Sequence, residues 1–187
     1  MDFDVIVEIP QGSRNKYEMD HASGRIRLDR MLFTSTRYPL DYGFIPDTLA
    51  EDGDPLDAMV MLDEPTFPGC HVLTRPVAVF WMTDENGPDA KILTVPAGDQ
   101  RFGAVRDLAD VPSHLIAEIA HFFDMYKELE PGKSTDVRGW QDRVSAEQVI
   151  ADARARARAS RPAADPSPPD RPFRGRPDGP DSGDARG

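Results

Sequence analysis

Three carboxylates fall within six residues at Asp52-Gly53-Asp54-Pro55-Leu56-Asp57. The glycine opens backbone angles closed to other residues and the proline fixes its own φ, so the segment reads as a rigid loop. Carboxylates held this close repel one another until cations neutralise them, and clustered oxygen ligands suit hard ions such as Mg2+ or Mn2+. Asp84-Glu85-Asn86-Gly87-Pro88-Asp89-Ala90-Lys91 has the same make-up and ends in a lysine. Two such loops in one small domain point to a multi-metal site for phosphoryl chemistry.

Cations and phenols stand elsewhere in the chain. Glu8, Lys16, Glu18 and Arg30 interrupt strand-like patterns; taken singly, each reads as a solvent-facing side chain. Together with Tyr38, Tyr42, Tyr126 and Lys127 they supply the groups that hold phosphate oxygens. Tyr126 also fits the apolar stripe of a helix, so packing alone could account for it. Competing motifs fail. Counted from Asp52, the sixth and twelfth positions of a calcium loop hold Asp57 and Asp63 instead of Gly and Glu. There is no Gly-rich Walker loop and no Gly-x-Gly-x-x-Gly fingerprint. His21, His71, His114 and His121 are scattered and Cys70 is alone, which excludes a zinc finger or ribbon.

The elements that must carry these residues are mostly strands. Phe3, Val5, Val7 and Ile9 alternate with other residues in a half-buried strand that ends at Pro10. Residues 16–20 and 25–29 alternate around the turn Ala22-Ser23-Gly24 and predict a hairpin. Apolar runs at 58–62, 72–82 and 91–95 add strands broken by Gly/Pro turns, which suits a small barrel or strongly curved sheet. Helices come later. Ser113 is positioned to cap one with the stripe Leu115, Ile116, Ile119, Phe122, Phe123, Tyr126 and Leu129. Ser145 and Gln148 have capping-box spacing for a second, whose Ala-Arg repeats over 153–159 read as a solvated end. The reading is an α+β, β-rich chain with a barrel first and helices after.

The 187 residues suffice for one domain with a sizeable core. From 160 to 187 the only large apolar residue is Phe173, so this Pro/Arg/Asp/Gly-rich stretch is expected to be a disordered tail after a catalytic domain of 1–159. The tail's charges cancel, which leaves the net charge of −11 on the domain. Such a domain repels nucleic acid and anionic membranes, so neither is an expected partner. The lone Cys70 admits no internal disulfide and reads as a small buried apolar residue in a reducing cytoplasm. No apolar run approaches the length of a membrane span.

Several motifs occur here in the order they take in soluble family I inorganic pyrophosphatases, which the chain closely resembles over residues 1 to about 150. They are Glu8-Ile9-Pro10, Asn15-Lys16-Tyr17-Glu18, Leu28-Asp29-Arg30, Tyr38-Pro39, Asp41-Tyr42-Gly43-Phe44-Ile45-Pro46 and Asp52 to Asp57. Met82-Thr83-Asp84-Glu85, Asp89-Ala90-Lys91, Phe122-Phe123 and Tyr126-Lys127-Glu128-Leu129-Glu130 follow. The resemblance implies a five-stranded barrel of the oligonucleotide/oligosaccharide-binding (OB) type with packed C-terminal helices, commonly a homo-hexamer. It implies that Asp52, Asp57, Asp84 and Asp89 hold Mg2+, with Mn2+ or Zn2+ as substitutes, and that Glu8, Glu18 and Glu85 act through water. Lys16, Arg30, Tyr42, Tyr126 and Lys127 would grip the phosphates of inorganic pyrophosphate, with Lys91 beside them. Asp54 or Asp89 would accept the proton of the attacking water. Two other readings remain: a phosphohydrolase of nucleotides or polyphosphate, and a single-strand nucleic-acid binder, which would need a basic groove with stacking aromatics.

Overall fold

The computed structural model describes residues 1–85 and 87–160. The expected tail lies outside them except for Ser160, which ends the last helix. The described residues form eight strands: β1 Phe3–Ile9, β2 Asn15–Asp20, β3 Arg25–Met31, β4 Asp41–Phe44, β5 Asp57–Val60, β6 His71–Asp84, β7 Gly87–Pro96 and β8 Thr135–Gln141. Helix α1, Ser113–Met125, precedes β8, and α2, Arg143–Ser160, follows it.

Five of the strands close on themselves. The order β1-β4-β5-β7-β6 returns from β6 to β1, and β8 extends β6 outside the ring. All pairings in the ring are antiparallel except β5–β7. This is the expected OB-type barrel, and closure removes the exposed edges of an open sheet. The predicted hairpin is β2–β3, which forms its own two-stranded sheet.

The alternation of β1 is realised: Phe3, Val5, Val7 and Ile9 are buried. β4 could not be read from its pattern, because all four of its residues are buried and no alternation survives. Its Gly43 is required by packing, since a Cβ there would lie 1.9 Å from the Ile6 carbonyl oxygen of the neighbouring strand. β8 carries no strong strand signal; it is largely polar, with Val137 and Trp140 half-buried against the core, and is recruited by pairing with β6.

The barrel supports two apolar clusters. One packs Ile9, Tyr42, Met59, Phe80 and Leu93 against Ile119, Phe122, Phe123 and Tyr126 of α1 and its end. The other packs Val5, Ile45, Ala58 and Ile92 against Ala146, Ile150 and Ala153 of α2. Burying each phenylalanine of α1 contributes roughly 1.5–3 kcal/mol, far more than either helix gains from intrinsic propensity.

Several local expectations are corrected. Ser113 does not cap α1: Pro112 holds that position, its carbonyl accepts the Ile116 N–H at 3.2 Å, and Ser113 is the first helical residue. Leu129 leaves the stripe because the helix stops at Met125; it is 61% exposed. In α2 the cap is Asp142, whose carboxylate accepts the Ser145 N–H at 2.9 Å and hydroxyl at 2.7 Å, so the helix starts before Ser145. The Ala-Arg repeats are not wholly solvated. Ala153 is buried, the Arg154 guanidinium lies 5.7 Å from the Phe3 ring centroid, and Arg156 Nε donates to the Leu49 carbonyl at 2.8 Å. Cys70 is half-buried, with Sγ 3.8 Å from the His71 carbonyl.

Candidate active site

Strand register brings the charged residues together. The parallel β5–β7 ladder pairs Asp57 with Lys91, and the β6–β7 hairpin sets Asp84 and Asp89 near its turn. A bulge in the β1–β4 ladder falls at Glu8, between Val7 and Ile9, and such bulges re-aim a side chain. The β2–β3 hairpin folds over this end of the barrel and is fastened where the Met19 N–H donates to Glu8 Oε1 at 2.6 Å. Gly53, at φ +96°, permits the turn in which the Asp54 N–H donates to Asp52 Oδ1 at 3.1 Å. The turn after α1 adds Tyr126 and Lys127, the latter against Asp84 and Glu85.

The result is one cleft of about 420 Å3. All but one of the site residues expected from the sequence line it: Glu8, Lys16, Glu18, Arg30, Tyr42, Asp52, Asp54, Asp57, Asp84, Glu85, Asp89, Lys91, Tyr126 and Lys127. Tyr38 does not. It is buried between Tyr42 and Phe122, at ring-centroid distances of 5.4 and 4.8 Å, and serves the core. The sequence reading did not assign roles to Asp29, His21 and Lys133, which also line the cleft. Asp29 could have been noticed from its place between Leu28 and Arg30; His21 and Lys133 carry no local signal.

Lys91 is the electrostatic centre. It is 2% exposed, and its Nζ donates to Asp57 Oδ2 at 2.7 Å, to both oxygens of Asp89 at 2.9 and 2.8 Å, and to the Tyr42 hydroxyl at 2.9 Å. The Tyr42 hydroxyl in turn donates to Asp57 Oδ2. Burial works against the ammonium charge, but Asp57 and Asp89 outweigh it and hold the Lys91 pKa well above its ordinary value. Burial raises the pKa of Asp89 despite the opposing pull of Lys91. Burial also pushes both phenols up, so Tyr42 and Tyr126 remain protonated donors at neutral pH. Glu8 is pushed from its ordinary 4.5 to about 7, chiefly by burial and against the hydrogen bond from Met19.

The other cations also sit between acids. Lys127 Nζ lies 2.8 Å from Asp84 and 3.3 Å from Glu85. Lys16 is paired with Glu18 and lies 3.6 Å from Asp29. Arg30 joins Asp29 to Glu130. Lys91 and Lys127 are expected from the sequence to face phosphate; in the folded chain their contacts are with carboxylates of the cleft. Among the described residues no three acidic, His or Cys groups converge into a ready-made metal cage. The donor set nonetheless fits hard cations: nine carboxylates line the cleft against five lysine and arginine side chains. That excess negative charge must be neutralised before a polyanion can enter, and all-oxygen ligands select ions of the Mg2+ type.

Known proteins resemble this chain in sequence and in fold. Residues 5–158 match the family model described as inorganic pyrophosphatase. A Streptomyces coelicolor inorganic pyrophosphatase is 59% identical over 150 residues, covering 80% of this chain and 92% of the relative. One from Corynebacterium efficiens is 54% identical over 159 residues, covering 85% of this chain and 100% of the relative. The crystal structure of the Thermus thermophilus inorganic pyrophosphatase superposes with a TM-score of 0.82 at 47% identity, covering 84% of this chain and 91% of that one.

Proposed function

The chain belongs to the inorganic pyrophosphatase family, and we propose how its cleft carries out that family's reaction with magnesium as the metal. The enzyme hydrolyses inorganic pyrophosphate to two phosphates and is metal-dependent. Hydrolysis of a nucleotide or polyphosphate is not favoured by the comparisons. The observation that carries the reading is the convergence on one cleft of acids from both loops with the Asp57–Lys91–Asp89–Tyr42 network.

Asp52, Asp57, Asp84 and Asp89 would hold the metal, with Glu8, Glu18 and Glu85 reaching it through water. Bound Mg2+ supplies Lewis acidity to the phosphoryl oxygens and makes a coordinated water acidic near neutrality. The remaining steps belong to the protein. Lys16, Arg30 and Lys127 bind phosphate oxygens, and Tyr42 and Tyr126 donate hydrogen bonds through phenols kept neutral by burial. Lys91 holds Asp57 and Asp89 in place and offsets the charge of both. Asp54 accepts the proton of the attacking water: it lines the cleft, and its carboxylate has no hydrogen-bond partner among the described residues. Asp89 is the rival base, but both its oxygens already accept from Lys91. No nucleophilic side chain is needed, so the reaction is a direct displacement.

The enzyme is proposed to work in the cytoplasm as a homo-hexamer. Apolar surface at Leu28, Met31, Phe33, Phe67 and Leu73 supports assembly, and no helix among the described residues is long and apolar enough to cross a membrane. The net charge of −11 speaks against nucleic-acid partners. A phosphate-release assay tests the activity. Pyrophosphate with Mg2+ should be turned over, excess EDTA should abolish it and ATP should be a poor substrate. Persistent turnover in EDTA would contradict the metal dependence.

A further inference from the structure

Glu130 lies in the turn after α1, outside the groups assigned above to substrate or metal. Its side chain is only 4% exposed, yet it carries a carboxylate. Arg30 Nε and Nη2 donate to its Oε1 at 3.0 and 2.9 Å, Nη2 is 2.9 Å from its Oε2, and Lys133 Nζ lies 3.2 Å from that oxygen. Its backbone N–H donates to the Lys127 carbonyl at 2.8 Å, so the turn that aims Lys127 also aims Glu130.

A carboxylate this deep is costly unless paired, and here the main partner is a cleft residue a hundred positions away in sequence. Arg30 Nη1 donates to Asp29 on the other side. A guanidinium has five N–H groups in one plane. Nε and Nη2 are taken up by the two Glu130 oxygens and Nη1 gives one N–H to Asp29, so a second N–H remains on Nη1. Two carboxylates therefore fix the plane of the fork and leave it able to meet a phosphate oxygen.

We propose that Glu130 is a positioning residue for hydrolysis: it locks the Arg30 guanidinium so that its uncommitted Nη1 N–H meets the substrate phosphate, and it acts only through Arg30. This rests on the reading of Arg30 as a phosphate-binding group. Without the clamp the arginine samples other rotamers, and part of the binding energy goes to ordering it.

A double-mutant cycle on the full-length, Mg2+-loaded enzyme tests this with wild type, Glu130→Gln, Arg30→Gln and the double variant. Glu130→Gln should lower kcat/KM for magnesium pyrophosphate roughly tenfold or more, the scale typical of lost outer-layer support. Arg30→Gln should lose at least as much, and the double variant should be no worse than Arg30→Gln alone. Mg2+ affinity without substrate should stay within about twofold of wild type, which a general collapse of the site would not permit. Losses that multiply in the double variant overturn the proposal, as does wild-type kcat/KM in Glu130→Gln beside an impaired Arg30→Gln. An unimpaired Arg30→Gln overturns the phosphate-binding assignment itself, and the positioning role with it. If Glu130→Gln does not fold, Glu130→Asp keeps the charge, shortens the reach by one methylene and should show the same coupling to Arg30.

Discussion

The two acidic loops use the same residue types, and the fold treats them in opposite ways. In the loop at 52–57, Asp52 and Asp54 stay exposed, and Asp52 accepts only from the backbone of its own turn. In the loop at 84–89, each acid is held by a buried lysine: Asp84 and Glu85 by Lys127, and Asp89 by Lys91. Asp57 joins the two, since it leaves the open loop to enter β5 and meets Lys91 across the parallel ladder. A lysine-held acid is fixed in place and has part of its charge cancelled. An open acid keeps its lone pairs for a proton or a metal. Composition alone does not distinguish the loops; the placement of two lysines does.

Removing the joint between the loops should have the largest effect. Asp57→Asn takes away an acceptor shared by Lys91 and Tyr42 and a proposed metal ligand. Turnover should fall on the order of 10³-fold or more, and excess Mg2+ should not restore it. Steady-state rates over a wide Mg2+ range measure this, and near-wild-type turnover would break the link between the loops.

Lys91 sharpens the contrast between buried and open charge. Lys91→Met leaves Asp57 and Asp89 facing each other without their buried counter-charge, and should destabilise the metal-free protein by about 3 kcal/mol. Lys16→Met, at the solvated rim, should cost less than about 1 kcal/mol. Denaturant unfolding in EDTA compares them; equal losses would mean that Lys91 has no special electrostatic role.

The open and buried acids also differ in a pH dependence under the hairpin. The Glu8 pKa is raised on folding from 4.5 to about 7, so the folded state binds the extra proton. The stability this contributes is fully present below pH 4.5 and is lost as pH rises through about 7. Glu8→Gln, which cannot ionise but keeps an oxygen for the Met19 N–H, should match wild type at pH 4.5 in EDTA. At pH 8 it should be more stable by up to about 3 kcal/mol. Parallel pH profiles for the two proteins would refute the cause assigned to the shift.

Much of this was legible in the chain because the signals are local. Alternation marks β1, the turn at 22–24 marks the hairpin, and the residue types of the cleft could be named before their geometry. What escaped is set by partners distant in sequence. β4 lacks alternation because it is buried throughout, and β8 is a strand only because β6 offers it hydrogen bonds. Tyr38 and Tyr42 look alike in sequence, but Tyr38 packs on Phe122 in the core and Tyr42 reaches Asp57. Lysines read as phosphate ligands are, in the folded chain, also the clamps on the acids around them. Glu130 is part of a recognisable motif, yet its use appears only when Arg30 crosses a hundred residues to meet it.

The division of labour between an open, proton-accepting loop and a lysine-held loop is tested most directly at Asp54. Asp54→Asn and Asp89→Asn should be compared by Mg2+ titration without substrate and by the pH–rate profile at saturating Mg2+. Asp54→Asn should bind Mg2+ and pyrophosphate almost normally yet lose about 10²–10⁴ in kcat, the usual worth of a general base. Asp89→Asn should lose Mg2+ affinity as well as rate. If Asp54→Asn instead loses Mg2+ affinity while its saturated kcat stays near wild type, Asp54 is a metal ligand and the base is Asp89.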